Sequence, residues 1–118
     1  MIDIALIVIK TDKLQEQHDF YSMLGFQFEY HKHGSGPYHY TSHDSKAVLE
    51  IYPLPKGVSE PDNTTRLGFT VEDLDLVIGN LKSSGIRISE PAQTEWGYTV
   101  IVHDCDGRKI ELTEKFKK

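Results

Sequence analysis

The chain has a single cysteine, Cys105, so no disulfide can staple it internally. One unpaired thiol suits a reducing compartment. Positive charge is scarce: 13 Lys and Arg stand against 18 Asp and Glu, a net charge of −5 with His neutral. Nucleic acid and anionic lipid are therefore not expected as partners, because both call for a basic face. No apolar run approaches the ~20 residues of a membrane-spanning helix. Met1-Ile2-Asp3-Ile4 carries no basic leader pattern, so no secretion signal is expected and the predicted location is cytoplasmic. Also missing are a Gly-rich phosphate loop and a Ser-His-Asp order.

What is present suffices for one domain. The 118 residues are 38% hydrophobic and 26% charged, enough to fold without a staple. The most informative stretch runs from Asp104 to Leu112. Asp104, Asp106 and Gly107 are turn formers, and Ile110 and Leu112 then alternate with Glu111, the period of a half-buried strand. Ala47 to Tyr52 repeats the pattern, with Glu50 between Leu49 and Ile51.

Taken in order, Ile2–Ile9 reads as a strand. Thr11 and Asp12 offer N-cap oxygens to a helix carrying Leu14, His18, Tyr21 and Leu24, which Gly25 ends. Strands follow at Phe26–Tyr30, Tyr38–His43 and Ala47–Tyr52. Residues 54–65, with Pro55, Gly57 and Pro61, form a linker. The order then recurs: a strand over Arg66–Val71, a helix capped by Asp73 with Leu74, Val77, Ile78 and Leu81 on one face, and a stop at Gly85. Ile86–Ser89 reads as a short strand, Pro91–Glu95 as a loop, Gly97–His103 as a strand, and the Asp104 turn feeds the last one. The tail Lys115-Phe116-Lys117-Lys118 is expected to fray.

The helix caps Asp12 and Asp73, the stops Gly25 and Gly85, and the acids Glu50 and Glu111 each differ by 60 or 61 positions. Three structurally distinct landmarks at one spacing indicate an internal repeat. The predicted fold is therefore α+β in one domain, 1–118, with a first βαβββ module over 1–53, the linker, and a second module over 66–114. The two curved mixed sheets are expected to form a cup with the helices on the outer face. Strand alternation puts Val48, Glu50 and Tyr52 on the cup side of one module. It puts Arg66, Gly68, Thr70, Glu111 and Thr113 there in the other.

The residues that carry this pattern resemble a known family. Asp12-Lys13-Leu14, Phe20-Tyr21 through Leu24-Gly25, Val48-Leu49-Glu50, Leu67-Gly68-Phe69 through Asp73-Leu74, and Asp104 through Leu112 are similar to the vicinal oxygen chelate superfamily. That group holds glyoxalase I, bleomycin-resistance proteins and extradiol dioxygenases. The resemblance implies a small-molecule site in the cup and a homodimer whose partner strands often complete it. It also implies, for the metal enzymes, one ligand in the first strand and one carboxylate in the last strand of each module. Here the carboxylates are Glu50 and Glu111, and the first-strand positions are Leu6 and Arg66. Leu6 has no donor atom and Arg66 presents only N–H groups, so a divalent metal is disfavoured and no cofactor is predicted. Glu50 and Glu111 are the metal ligands if one is bound.

In place of the metal, the guanidinium of Arg66 is expected to sit between Glu50 and Glu111 and offer a donor to a bound oxyanion or carbonyl. Tyr38, Tyr40, Tyr52 and Trp96 are the candidate aromatic rim for a ligand. Three readings follow. The first is a metal-independent small-molecule binding protein of bleomycin-resistance type. The second is a glyoxalase-type lyase or isomerase, or a dioxygenase-like enzyme, with Glu50 or Glu111 as base or metal ligand. The third is an interaction module whose cup is filled by its own side chains. Among other candidates, His31 and His33 alternate on one strand face and His39 and His43 on another. Donors spaced i, i+2 can share a metal, although the usual zinc spacings are absent. His103 precedes the Asp104 turn as a possible general base, and Cys105, flanked by acids, is not expected to be a nucleophile.

Overall fold

Each half folds as strand, helix and three strands. The computed structural model describes residues 1–114; the tail expected to fray, 115–118, lies outside the described residues. The first half runs β1 (Leu6–Thr11), α1 (Leu14–Met23), β2 (Gln27–His31), β3 (His39–His43) and β4 (Val48–Pro53). The second runs β5 (Leu67–Val71), α2 (Leu74–Ser83), β6 (Ala92–Thr94), β7 (Gly97–His103) and β8 (Lys109–Glu114). Two four-stranded sheets result, ordered β1-β4-β3-β2 and β5-β8-β7-β6. In each, the first and last strands pair in parallel and the rest antiparallel, so both sheets are mixed. Val8 lies beside Glu50 and Gly68 beside Glu111. The repeat read from the sequence is thus a repeat of topology and of register.

Three local expectations are corrected. The first strand starts at Leu6 rather than Ile2, because β4, its pairing partner, begins with Val48 opposite Leu6. Neither Thr11 nor Asp12 caps α1: Lys13 stands at the cap with no side-chain bond, while Thr11 Oγ1 accepts from Lys13 N at 2.9 Å. Asp73 does cap α2, accepting from Leu76 N at 3.1 Å. In the second sheet Ile86–Ser89 contributes only a single bridge, Ile88 to Val102. The edge strand is instead β6, from the stretch read as a loop, because Thr94 and Gly97 close a tight hairpin onto β7.

The core explains why the halves stay together. Ile9, Leu49 and Ile51 of the first sheet, Phe20, Tyr21 and Leu24 of α1, Leu74, Val77, Ile78 and Leu81 of α2, and Val100, Val102, Ile110 and Leu112 of the second sheet form one buried cluster. Each such side chain contributes about 1.5–3 kcal/mol when fully buried. Neither half owns enough of them to stand alone. Phe69 of β5 meets Tyr21 and Phe26 edge-on across the boundary between halves.

Polar bonds cross the same boundary. Tyr21 Oη donates to Asp104 Oδ2 at 2.6 Å, and Arg108 Nη1 donates to the same oxygen at 2.6 Å. Arg108 also donates to the backbone carbonyl of Asp62 in the linker. Gln17 Nε2 donates to Asp106 Oδ2 at 2.9 Å, and Gln17 Oε1 accepts from Cys105 N at 3.2 Å. The turn that opens the last strand is thus docked onto the first module's helix. Burial works against the charge on Arg108, but Asp104 more than offsets it and the guanidinium pKa is raised. Burial, reinforced by Asp104, drives the Tyr21 phenol far above its ordinary range.

Because the helix-bearing faces are buried in this shared core, the opposite face of each sheet is left open within one chain. Leu6 and Val8 are 53% and 41% exposed, and Gly68, Thr70 and Glu111 are exposed as well.

Candidate functional site

The open face of the first sheet carries the densest polar constellation outside the turn. Register decides which residues share it. Thr41 pairs with Glu50, and His31 with His39, so these four point to one side. Leu6, Val8 and Lys10 of β1 and Val48 and Tyr52 of β4 join them there.

Glu50 is largely shielded, its side chain 16% exposed. Thr41 Oγ1 donates to Glu50 Oε2 at 2.8 Å, and His31 Nε2 lies 3.0 Å from the same hydroxyl. His39 Nε2 stands 3.5 Å from Glu50 Oε2. The His39 ring stacks on Tyr52 with centroids 4.0 Å apart and 9° between planes. Burial and the neighbouring Glu50 push the Tyr52 phenol up. A carboxylate, a hydroxyl and two imidazoles thus sit beside an apolar strip of Val8, Val48 and Leu6. The arrangement suits an organic molecule that presents a donor group to Glu50 and a flat or apolar body to the strip.

The second sheet's open face is sparser. Glu111 is exposed, and Thr99 and Thr113 hydroxyls meet at 3.1 Å nearby. Arg66 is exposed just ahead of β5. The ion pair expected between Arg66 and the two glutamates is not formed within one chain: among the described residues no cation–carboxylate contact involves Arg66 or Glu111. The reason is architectural. Glu50 and Glu111 belong to different sheets whose shared core lies on their other faces.

The aromatic rim divides in the same way. Tyr52 stands beside Glu50. Tyr40 does not: it pairs with Ile51, points to the helix side, and donates to Gln15 Oε1 at 2.9 Å. Tyr38 stacks on Tyr30 at 5.1 Å, next to Tyr40. Trp96 is 76% exposed at the tip of the β6–β7 hairpin, in the other module. His43 pairs with Asp44 on the surface, and His103 is exposed. Burial and the flanking Asp104, Asp106 and Glu16 push the Cys105 thiol up, which leaves it a poor nucleophile. His39 and Thr41 were missed as neighbours of Glu50, and the signal was available: both alternate with Tyr40 in one strand.

A cleft of about 570 Å³ runs along the outer edge of β1, between Val8, Lys10, Leu54, Val58 and Asp62, and reaches Arg108. None of Glu50, Arg66 and Glu111 lines it. Hydrogen bonds from Thr65 and Thr64 hold the Asp62 carboxyl well below the usual carboxylate range.

A sequence model of the Glyoxalase/Bleomycin resistance protein/Dioxygenase superfamily matches residues 3–112. The chain belongs to that superfamily. Solved structures of similar fold include TnmS3, an antibiotic-binding protein from Streptomyces sp. CB03234, with TM-score 0.78, 20% identity, and 98% of each chain covered. A glyoxalase/bleomycin resistance protein from the same organism gives TM-score 0.74 and 22% identity over 94% of this chain and 99% of that one. A glyoxylase/bleomycin resistance protein/dioxygenase domain from Frankia sp. EAN1pec gives TM-score 0.78 and 14% identity over 98% and 99%. No curated protein matches the chain.

Within this superfamily, the residues at hand do not fit the metal arrangement that the family's metal enzymes imply. Val8 and Gly68, the direct strand neighbours of Glu50 and Glu111, have no donor atom, and neither does Leu6. Arg66 offers only N–H groups.

Proposed function

We propose that this superfamily member binds a small organic molecule on the open face around Glu50, without a metal in the family's four-ligand arrangement. The observation that carries this reading is the shielded Glu50 carboxylate, held by Thr41 and flanked by His39, Tyr52 and Val8. It is an acceptor poised beside apolar surface, with no metal donor at either strand-neighbour position. The antibiotic-binding neighbour TnmS3 is consistent with an antibiotic-like ligand.

The site is completed by a second copy. The exposed apolar strand β1 and the open faces of both sheets need cover, and a twofold pair supplies it. In such a dimer Arg66 and Glu111 of one copy stand opposite Glu50 of the other. This restores across two chains the grouping that one chain does not make. The homodimer and the cytoplasmic location belong to this proposal.

The experiment is a thermal-shift and tryptophan-fluorescence screen of untagged protein against bleomycin and polycyclic aromatic antibiotics, with hemithioacetal turnover assayed in parallel. Stabilisation by a ligand, lost in Glu50→Gln, supports the reading. Turnover of the hemithioacetal replaces it with the lyase reading. No shift with any compound favours the interaction module.

A further inference from the structure

We propose that His31, His33 and His39 form a binding site for a divalent transition-metal ion of the imidazole-favouring class, Zn²⁺ foremost, with Glu50 beside its open coordination position. This site is distinct from the family arrangement tested above, and it does not rest on the small-molecule reading.

The geometry comes from the β2–β3 hairpin. His31 and His39 are direct cross-strand partners, and the connecting loop brings His33 back against both. One ring nitrogen from each of the three lies within 4.8 Å of the other two. The ring centroids are 4.8–5.4 Å apart. A tetrahedral Zn²⁺ with bonds of 2.0–2.1 Å holds its nitrogens about 3.4 Å from one another. Contraction by little more than 1 Å closes the site, and the exposed His33 is free to supply much of it.

The hydrogen bonds leave a lone pair available on His39 and on His31. His39 Nδ1 is 3.2 Å from the Pro37 carbonyl and donates to it, so its lone pair lies on Nε2. That Nε2 is buried, on a side chain 1% exposed, and has no hydrogen-bond partner among the described residues. An imidazole nitrogen so placed is costly unless something takes it up. Thr41 gives its hydroxyl proton to Glu50, so Oγ1 accepts from His31 Nε2 and the His31 lone pair lies on Nδ1. His39 and His31 are thus each oriented by a second partner through the other ring nitrogen, the usual support of a metal-ligating histidine. Tyr52, stacked on His39, locks that ring further. Glu50 Oε2, 3.5 Å from His39 Nε2, is close enough to be the fourth ligand or to accept from a metal-bound water. Three neutral imidazoles with a nearby carboxylate favour Zn²⁺, Ni²⁺ or Cu²⁺ over Mg²⁺ and Ca²⁺.

The test uses untagged protein stripped with chelator. Isothermal titration with Zn²⁺ should give one ion per chain. Zn²⁺ at a hundredfold excess over Kd should raise Tm by roughly 10 °C, and Mg²⁺ should raise it not at all. Co²⁺ should give the strong visible bands of a four-coordinate site. His33→Gln, at an exposed position that leaves the core untouched, should weaken Zn²⁺ at least tenfold, whereas His43→Gln should leave it unchanged. His39→Gln should abolish binding if that variant folds. Absence of stoichiometric Zn²⁺, or binding that survives His33→Gln undiminished, overturns the site. Zn²⁺ binding with no small-molecule binding would sink only the proposed function, and the reverse result would sink only this site.

Discussion

Tyr21 and Asp104 share a 2.6 Å hydrogen bond across 83 residues, and the bond is buried. It joins the first module's helix to the second module's last turn, and Arg108 reads the same carboxylate oxygen. Tyr21→Phe keeps the ring and removes the donor. It should cost about 1.5–3 kcal/mol, as loss of a buried bond to a charged partner does, read as a fall in the denaturant midpoint with an unchanged slope.

The same phenol makes a prediction about pH. Its native pKa is raised by burial and by Asp104 from 10.0 in the unfolded chain. Below pH ~10 both states hold the proton and no dependence arises from it. Above that, the unfolded state loses the proton while the native state keeps it, so stability must fall as pH rises. Urea titrations between pH 9 and 11 should show this decline, and Tyr21→Phe should flatten part of it. An equal slope in both proteins would remove Tyr21 as its source.

Gly97 has φ of 135°, and a Cβ there would stand 2.3 Å from the Glu114 carbonyl oxygen. The obstacle is backbone, so it cannot swing away. Gly97→Ala should therefore destabilise by well over ~1 kcal/mol. Gly79→Ala, in a helix with nothing within 4 Å of the new methyl, should stabilise slightly. Thermal melts of the pair decide this.

A dimer with shared sites admits a complementation test. Glu50→Gln and Arg66→Leu should each abolish ligand binding in a homodimer. When the two variants are unfolded and refolded together, about half the dimers are mixed, and each mixed dimer holds one intact site of two. Binding should return to about a quarter of the wild-type sites. No recovery, with mixed dimers present by mass, would mean that Glu50 and Arg66 do not serve one site across chains.

Thr41→Val removes the hydroxyl that links His31 to Glu50 while keeping the side chain's shape. Ligand affinity should fall about three- to tenfold, the worth of one hydrogen bond, measured by fluorescence titration.

The topology was legible because the two strand acids and the two helix stops recur at one spacing, and because α2 carries an unbroken apolar stripe. The open and buried faces of β4 were legible from alternation alone. The grouping of Arg66 with Glu50 was not. Alternation says which side of its own sheet a residue takes, but not which way two sheets turn when their helices share a core. Tyr40 shows a subtler limit. It was grouped with Tyr52 as an aromatic, yet the Thr41–Glu50 register places it on the opposite face. β6 escaped notice because three residues with no apolar alternation gain strand geometry only from β7. The histidine trio needed the pairing of His31 with His39, a fact of register rather than of spacing.

The docked turn at Asp104 has a counterpart at Asp44, 60 positions earlier, which among the described residues pairs only with its neighbour His43, on the surface. The two modules are therefore alike in topology and unlike in role: the second carries the key and the first carries the lock. A chain assembled from two copies of the first module would put Lys46 where Asp106 takes Gln17, and Val48 where Arg108 holds the turn's carboxylate. One assembled from two second modules would have a turn with nowhere to seat. The chain therefore has a direction, and its modules could not be exchanged for one another without rebuilding that joint.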